Sequence, residues 1–261
     1  SMPDVDPEAK LAISRARARM LTHLEPFYAH IALLLELKED NDHFCGTGYT
    51  DGSVLAYNAE WIKKLTPQQT VGFVLHESLH NALLHVGDSR RGFRDPNLWM
   101  MAIDFAVNDF VVEAAKRNPD KVAIPPDGLY DPKYHKWNAE KIYDDLYQKY
   151  SGGKKKPRGV GGLPGGSSKN GSHDKNVCGA GDQKLSSSDV EKLRRKVVAI
   201  AEQLKAQGDL PGDFDELIEK LKPKVDWRQI LASFLVQTIS DFSFERPDRR
   251  MHALKLYLPN V

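Results

Sequence analysis

Between Thr66 and Gly87 the chain spells a helix with both ends marked, and that helix limits what the rest of the sequence can build. Thr66 is a side-chain cap, Pro67 takes the first helical position where its missing N–H costs nothing, and Gln69 stands where a capping box needs it. Val71, Val74, Leu75, Leu79 and Leu83 continue an apolar stripe, and Gly87 offers a left-handed stop. Within this run lies FVLHESLHNALLH, residues 73–85. His76 and His80 fall one turn apart on the same side, with Glu77 directly after the first.

Imidazoles at this spacing can converge on one Zn2+, each nitrogen about 2.0–2.1 Å away, while the glutamate between them reaches water on the ion without being a ligand. The chemistry such a set predicts is peptide-bond hydrolysis. Glu77 takes the proton of a metal-activated water and returns it to the leaving nitrogen. Three fixed residues also occur on ordinary solvated helices, so the motif draws its weight from the strong cap and the apolar flanks around it.

An open catalytic site needs a third protein ligand, and two residues compete for the role. His85 is near in sequence, but on a continuous helix it is rotated by about 140° from His80, and no glycine or proline breaks the chain between Asn81 and Leu84. Asp104 is the better candidate. It is an acid among Met101, Ala102, Phe105 and Val107 in a second predicted helix, residues 98–117, which can lie against the first. Asn108, one turn further, would orient Asp104 or a neighbouring loop, or make an ordinary helix-to-helix hydrogen bond.

Residues 7 to about 37 read as helical, with Pro26 dividing or kinking the run. Residues 44–57 read as a hairpin about Asp51-Gly52, and Ser53–Tyr57 is a candidate edge strand on which an extended peptide could be added. Asn58 caps a short helix. A proline-stiffened loop over 125–137 carries Tyr134 and His135, candidate donors to a developing oxyanion, and Asn138 caps the helix after it. Residues 151–184 hold more than half of the 19 glycines and read as a flexible insertion. Helices over 189–207, 213–222 and 225–239 and a short terminal strand complete an α+β chain, mainly helical with a small sheet, read as one domain over 3–261.

Lys plus Arg number 37 and Asp plus Glu 36, a net charge of +1, so the chain lacks the field of a general nucleic-acid binder. The basic cluster Lys154, Lys155, Lys156 and Arg158 has no interleaved aromatics and reads as a solvated loop. Cys45 and Cys178 stand alone, and no leader or long apolar span is apparent. The expectation is a cytoplasmic protein with no membrane partner.

The order TDGSVLAYNAEWIKKLTPQQTVGFVLHESLHNALLH, RDPNLWMMAIDFAVN, IPPDGLYDP, AEKIYDDLY, VDWRQIL and FSFERPDRR resembles a predicted bacterial metallopeptidase-like domain that usually precedes a von Willebrand factor A-like domain. The resemblance spans nearly the whole chain apart from the first residues and the glycine-rich insertion. It implies a zincin-like core, with His76 and His80 as Zn2+ ligands, Glu77 as the base and Asp104 as the third ligand. It also implies a peptide or protein substrate. Such domains are often encoded near MoxR-type AAA ATPases, which makes an AAA ATPase or a von Willebrand factor A-like protein the implied partner. The sequence ends at YLPNV, about where the family's second domain would begin.

Overall fold

A computed structural model describes residues 5–151 apart from 25, 44, 45, 88, 89 and 127, then residues 185–210, 212 and 214. The chain divides into two units, 1–221 and 222–261, and every described residue falls in the first. Most of the insertion read at 151–184, both cysteines, the basic cluster, the helices read after residue 212 and the terminal strand lie outside the described residues.

Helix α1 (Pro7–His23) is capped by Asp6, whose side chain accepts from the amides of Glu8 and Ala9. Helix α2 (Pro26–Leu33) begins at Pro26, so the proline starts a second helix rather than bending the first. The helical reading to residue 37 overran. The chain turns at Leu34 and Leu35 and enters strand β1 (Glu36–Glu39), which pairs in parallel with β3 (Val54–Tyr57). Nothing local in Glu-Leu-Lys-Glu specifies a strand; its partner lies 18 residues on. Strand β2 (Gly48–Thr50) pairs antiparallel with β3, and Asp51 Oδ1 collects the amides of Ser53 and Val54 across the turn. The sheet order is β1-β3-β2. Strand β3 is therefore the centre, bonded on both sides, and cannot be the edge expected of it. Among the described residues the edge strands are β1 and β2.

After the short α3 (Ala59–Ile62), Thr66 and Gln69 make the full capping box and start helix α4 (Pro67–Ala82). Asp95 caps helix α5 (Pro96–Arg117), with Pro96 at its first position. A 3-10 turn (Pro132–Tyr134) leads to α6 (Ala139–Ser151), and α7 (Ser187–Gln207) ends on left-handed Gly208. Helix α4 lies at the centre, against α1, α2, α5 and β2, while α6 packs on the other part of α5. One core gathers Ile13, Phe27, Tyr28, Phe73 and Leu193 around α4, and a second gathers Trp99, Ile103, Tyr134 and Ile142 between α5 and α6. No described helix is long and apolar enough to cross a membrane.

One close approach fixes α4 lengthwise. The Ala123 carbonyl sits over Gly72, where a Cβ would collide with it, and the Ala123 amide donates to Gln68 O at 3.1 Å. The segment after α5 thus rests directly on the backbone of α4.

Candidate metal centre

Every residue of α4 from Thr70 to Ala82 is buried, so this helix has no solvated face in its second half. His76 is 3% exposed, Glu77 4%, His80 1%, and Asp104, from α5, 1%. Four ionisable side chains buried this deeply need polar partners.

His76 Nε2 and His80 Nε2 are 3.0 Å apart, and Asp104 Oδ1 lies 3.3 Å from the second and 3.8 Å from the first. Donor atoms about 2.0–2.1 Å from one tetrahedral ion are separated by about 3.3–3.4 Å, so this spacing fits a single divalent cation. Among the described residues neither Asp104 oxygen accepts a hydrogen bond, and Glu77 Oε2 accepts none either. A buried carboxylate without a donor is costly alone and well matched to a cation. His76, His80 and Asp104 form a cluster able to hold a metal ion.

Burial dominates the electrostatics. It lifts Glu77 to about 8, with the Asp104 charge adding to the effect, and lifts Asp104 to about 7. It lowers His76 to about 4, helped by His80, and His80 to about 3. Around neutral pH the imidazoles are therefore uncharged, the form in which a nitrogen can offer a lone pair.

Asn108 settles the orientation of His76. Its Nδ2 donates to the Leu129 carbonyl at 2.8 Å, so its Oδ1 is the atom facing His76 Nδ1, also at 2.8 Å. His76 must donate from Nδ1, which leaves the Nε2 lone pair facing the cluster. The polar position one turn after Asp104 hinted at such a partner, but nothing in the sequence joined it to His76.

Helix α4 does not run to Gly87. It ends at Ala82 because Leu84 adopts φ 52, a left-handed conformation no glycine or proline announced. His85 is thereby turned back onto α4, with Nδ1 3.1 Å from His80 Nδ1. It stands behind His80, on the opposite nitrogen from the cluster, and not among the three converging ligand atoms.

Tyr134 and His135 are held elsewhere. The Tyr134 hydroxyl donates to Asp145 Oδ2 at 2.9 Å, and its ring lies in the second core. His135 Nδ1 is 3.1 Å from Asp109 Oδ1 and 3.9 Å from Glu113. Among the described residues neither hydrogen-bonds to His76, Glu77, His80 or Asp104. Asp109, Glu113 and His135 make a second cluster that could hold a cation, though Asp109 Oδ2 already accepts from the Lys136 amide at 2.9 Å. This cluster and His85 line a cleft of about 580 Å³.

Among proteins similar to this chain, an uncharacterized protein of Thermotoga maritima is 25% identical over 138 residues. That match spans 45% of this chain and 35%, about a third, of the relative's own length. No solved structure matches the chain. The family described as "Putative metallopeptidase domain" matches residues 9–261, almost the entire sequence, and the chain belongs to that family.

Proposed function

We propose that this chain is a zinc-dependent peptidase with His76, His80 and Asp104 as its metal ligands and Glu77 as its general base. The observation that supports this most is the pairing of three correctly spaced ligand atoms with buried oxygens, both of Asp104 and Oε2 of Glu77, that accept no hydrogen bond among the described residues. When bound, the ion supplies an acidified water and polarises the peptide carbonyl. The rest falls to the protein. Asn108 keeps the His76 lone pair turned inward, and the neutral imidazoles are ready to ligate. Glu77, whose Oε2 has no hydrogen-bond partner among the described residues, would be the group that accepts a proton and returns it to the leaving amine. The zincin-like core implied by the resemblance belongs to the same proposal.

The depth of the cluster favours a second reading. With all four groups at most 4% exposed, the ion would tie α4 to α5 in an interaction module serving an AAA ATPase or a von Willebrand factor A-like partner. One experiment separates the two. Glu77→Gln and wild type are titrated with Zn2+ by calorimetry and profiled against a peptide library. The peptidase reading expects equal zinc stoichiometry and no hydrolysis by the variant. Equal hydrolysis by both proteins rejects Glu77 as the base, and zinc binding with no hydrolysis by either favours the module.

A further inference from the structure

Helix α1 carries the four cations Lys10, Arg15, Arg17 and Arg19, and one of them serves the fold. Arg17 reaches the carbonyls of Ala32, at 2.9 Å, and Leu35, closing the open end of α2. Lys10, Arg15 and Arg19 are exposed and make no ion pair or side-chain hydrogen bond among the described residues. By contrast Lys63, Lys116, Lys133 and Lys192 each lie on a carboxylate at 2.6–3.0 Å.

Between the unpaired cations runs a stripe of apolar and small side chains. At about 100° per residue, Leu11, Ser14, Ala18 and Leu21 fall within about 80° of one another, at the three-four-three spacing of a helix seam. All four are exposed, Leu11 at 48% and Leu21 at 50%. Lys10 borders the stripe on one side, and Arg15 and Arg19 border it on the other. The opposite side of the helix, Ala9, Ile13, Ala16 and Met20, is buried, so α1 cannot turn to hide its leucines.

We propose that the outer face of α1 docks an acidic amphipathic helix of another protein, whose apolar seam lies on Leu11, Ser14, Ala18 and Leu21 and whose carboxylates pair with Lys10, Arg15 and Arg19. Charge selects this occupant. A second copy of the chain on the same face would set three cations against three, and within α1 only Glu8 from each copy would offset them. A lipid surface would gain little from two half-exposed leucines on a helix without an aromatic residue. The small side chains of Ser14 and Ala18 leave room for longer ones to seat between the leucines. Because Asp6 caps α1, the core holds its inner side and Arg17 ties it to α2, the surface is ordered before a partner arrives, and docking costs little further ordering. The inference draws nothing from the metal-site reading.

The probe is a dye-labelled synthetic helix of about three heptads, with leucine at both seam positions and glutamate beside them, and a twin with lysine in place of every glutamate. Binding of each to the full chain is read by fluorescence anisotropy. The glutamate peptide is expected to bind, more weakly as salt rises from about 0.05 to about 0.5 M, and the lysine twin is expected not to bind. Arg15→Glu with Arg19→Glu should weaken binding about 10-fold, and Leu11→Ser with Leu21→Ser about 10- to 50-fold, with circular dichroism and Tm unchanged because every altered side chain is exposed. No binding of the glutamate peptide, equal binding of both peptides, or binding that neither pair of substitutions weakens overturns the inference. Dimerisation in analytical ultracentrifugation that the leucine substitutions abolish would make a second copy the occupant and overturn it as well. Co-sedimentation with phosphatidylserine vesicles in the absence of peptide binding would do the same in favour of a lipid surface.

Discussion

Removing the charge at residue 104 tests why that carboxyl is buried without a hydrogen-bond donor among the described residues. In the metal-free fold Asp104 titrates near about 7 instead of 3.8, and Glu77 near about 8 instead of 4.5. At pH 6.5 the folded chain therefore holds protons on both that the unfolded chain has lost. Stability falls with rising pH wherever the folded state binds more protons, so it declines through these two values and levels off above about pH 8. His76 and His80 act with the opposite sign. Lowered from 6.5 to about 4 and about 3, they make stability rise with pH until the unfolded imidazoles have lost their protons, about one unit above 6.5. Between pH 6.5 and 9 the carboxyls give up about half a pH unit at Asp104 and about one and a half at Glu77, together about 3 kcal/mol, and the three buried imidazoles, His85 included, return about 1 kcal/mol as their unfolded forms lose the last of their protons. Asp104→Asn removes the first contribution and eases the second, because the Asp104 charge is part of what raises Glu77. Its carboxamide can still donate to the imidazole nitrogens beside it. The assay is urea unfolding of chelator-treated protein from pH 6.5 to 9. Wild type is expected to lose about 2 kcal/mol net, Asp104→Asn under about 1, and Zn2+-saturated wild type little, since the cation compensates both carboxylates. Equal declines in wild type and variant, or none in metal-free wild type, would refute the argument.

Two further outcomes follow from the neighbours of the cluster. Asn108→Leu strands His76 Nδ1 and the Leu129 carbonyl, so calorimetry should show Zn2+ affinity reduced about 10- to 100-fold, and melting should show a loss of about 1–3 kcal/mol per stranded group. Unchanged affinity would mean that His76 does not depend on this bond. Gly72→Ala places a methyl against the Ala123 carbonyl and should cost about 1–3 kcal/mol in thermal unfolding, and an unaltered Tm would show that the segment gives way freely.

What could be read from the sequence was whatever is local. The capping box at Thr66, the four-residue spacing of the histidines and the lone acid in an apolar helix are all written within one or two turns, and the structure brings those three side chains together. The end of α4 was illegible because Leu84 enters the left-handed region under tertiary constraint, against its own preference, and with it went the position of His85. Strand β1 was missed for a related reason. Glu-Leu-Lys-Glu has no β-branched residue, and only pairing with β3 makes it extended. Ser53–Tyr57 was recognisable as a strand, but its central place depends on that same unseen partner. His135 was noticed as a loop histidine, whereas its partner Asp109 is 26 residues earlier on α5 and could be joined to it only by the fold.

Among its described residues the segment leaving α5 supplies none of the three ligand atoms, yet it touches both helices that do, at Gly72 through Ala123 and at Asn108 through Leu129. It works as a gauge block: the gap between the two imidazoles and the carboxylate is set by a stretch of plain backbone. A change of thickness there would be transmitted to the cluster as a change of bite, so the tolerance of the centre is written partly in residues that never approach it.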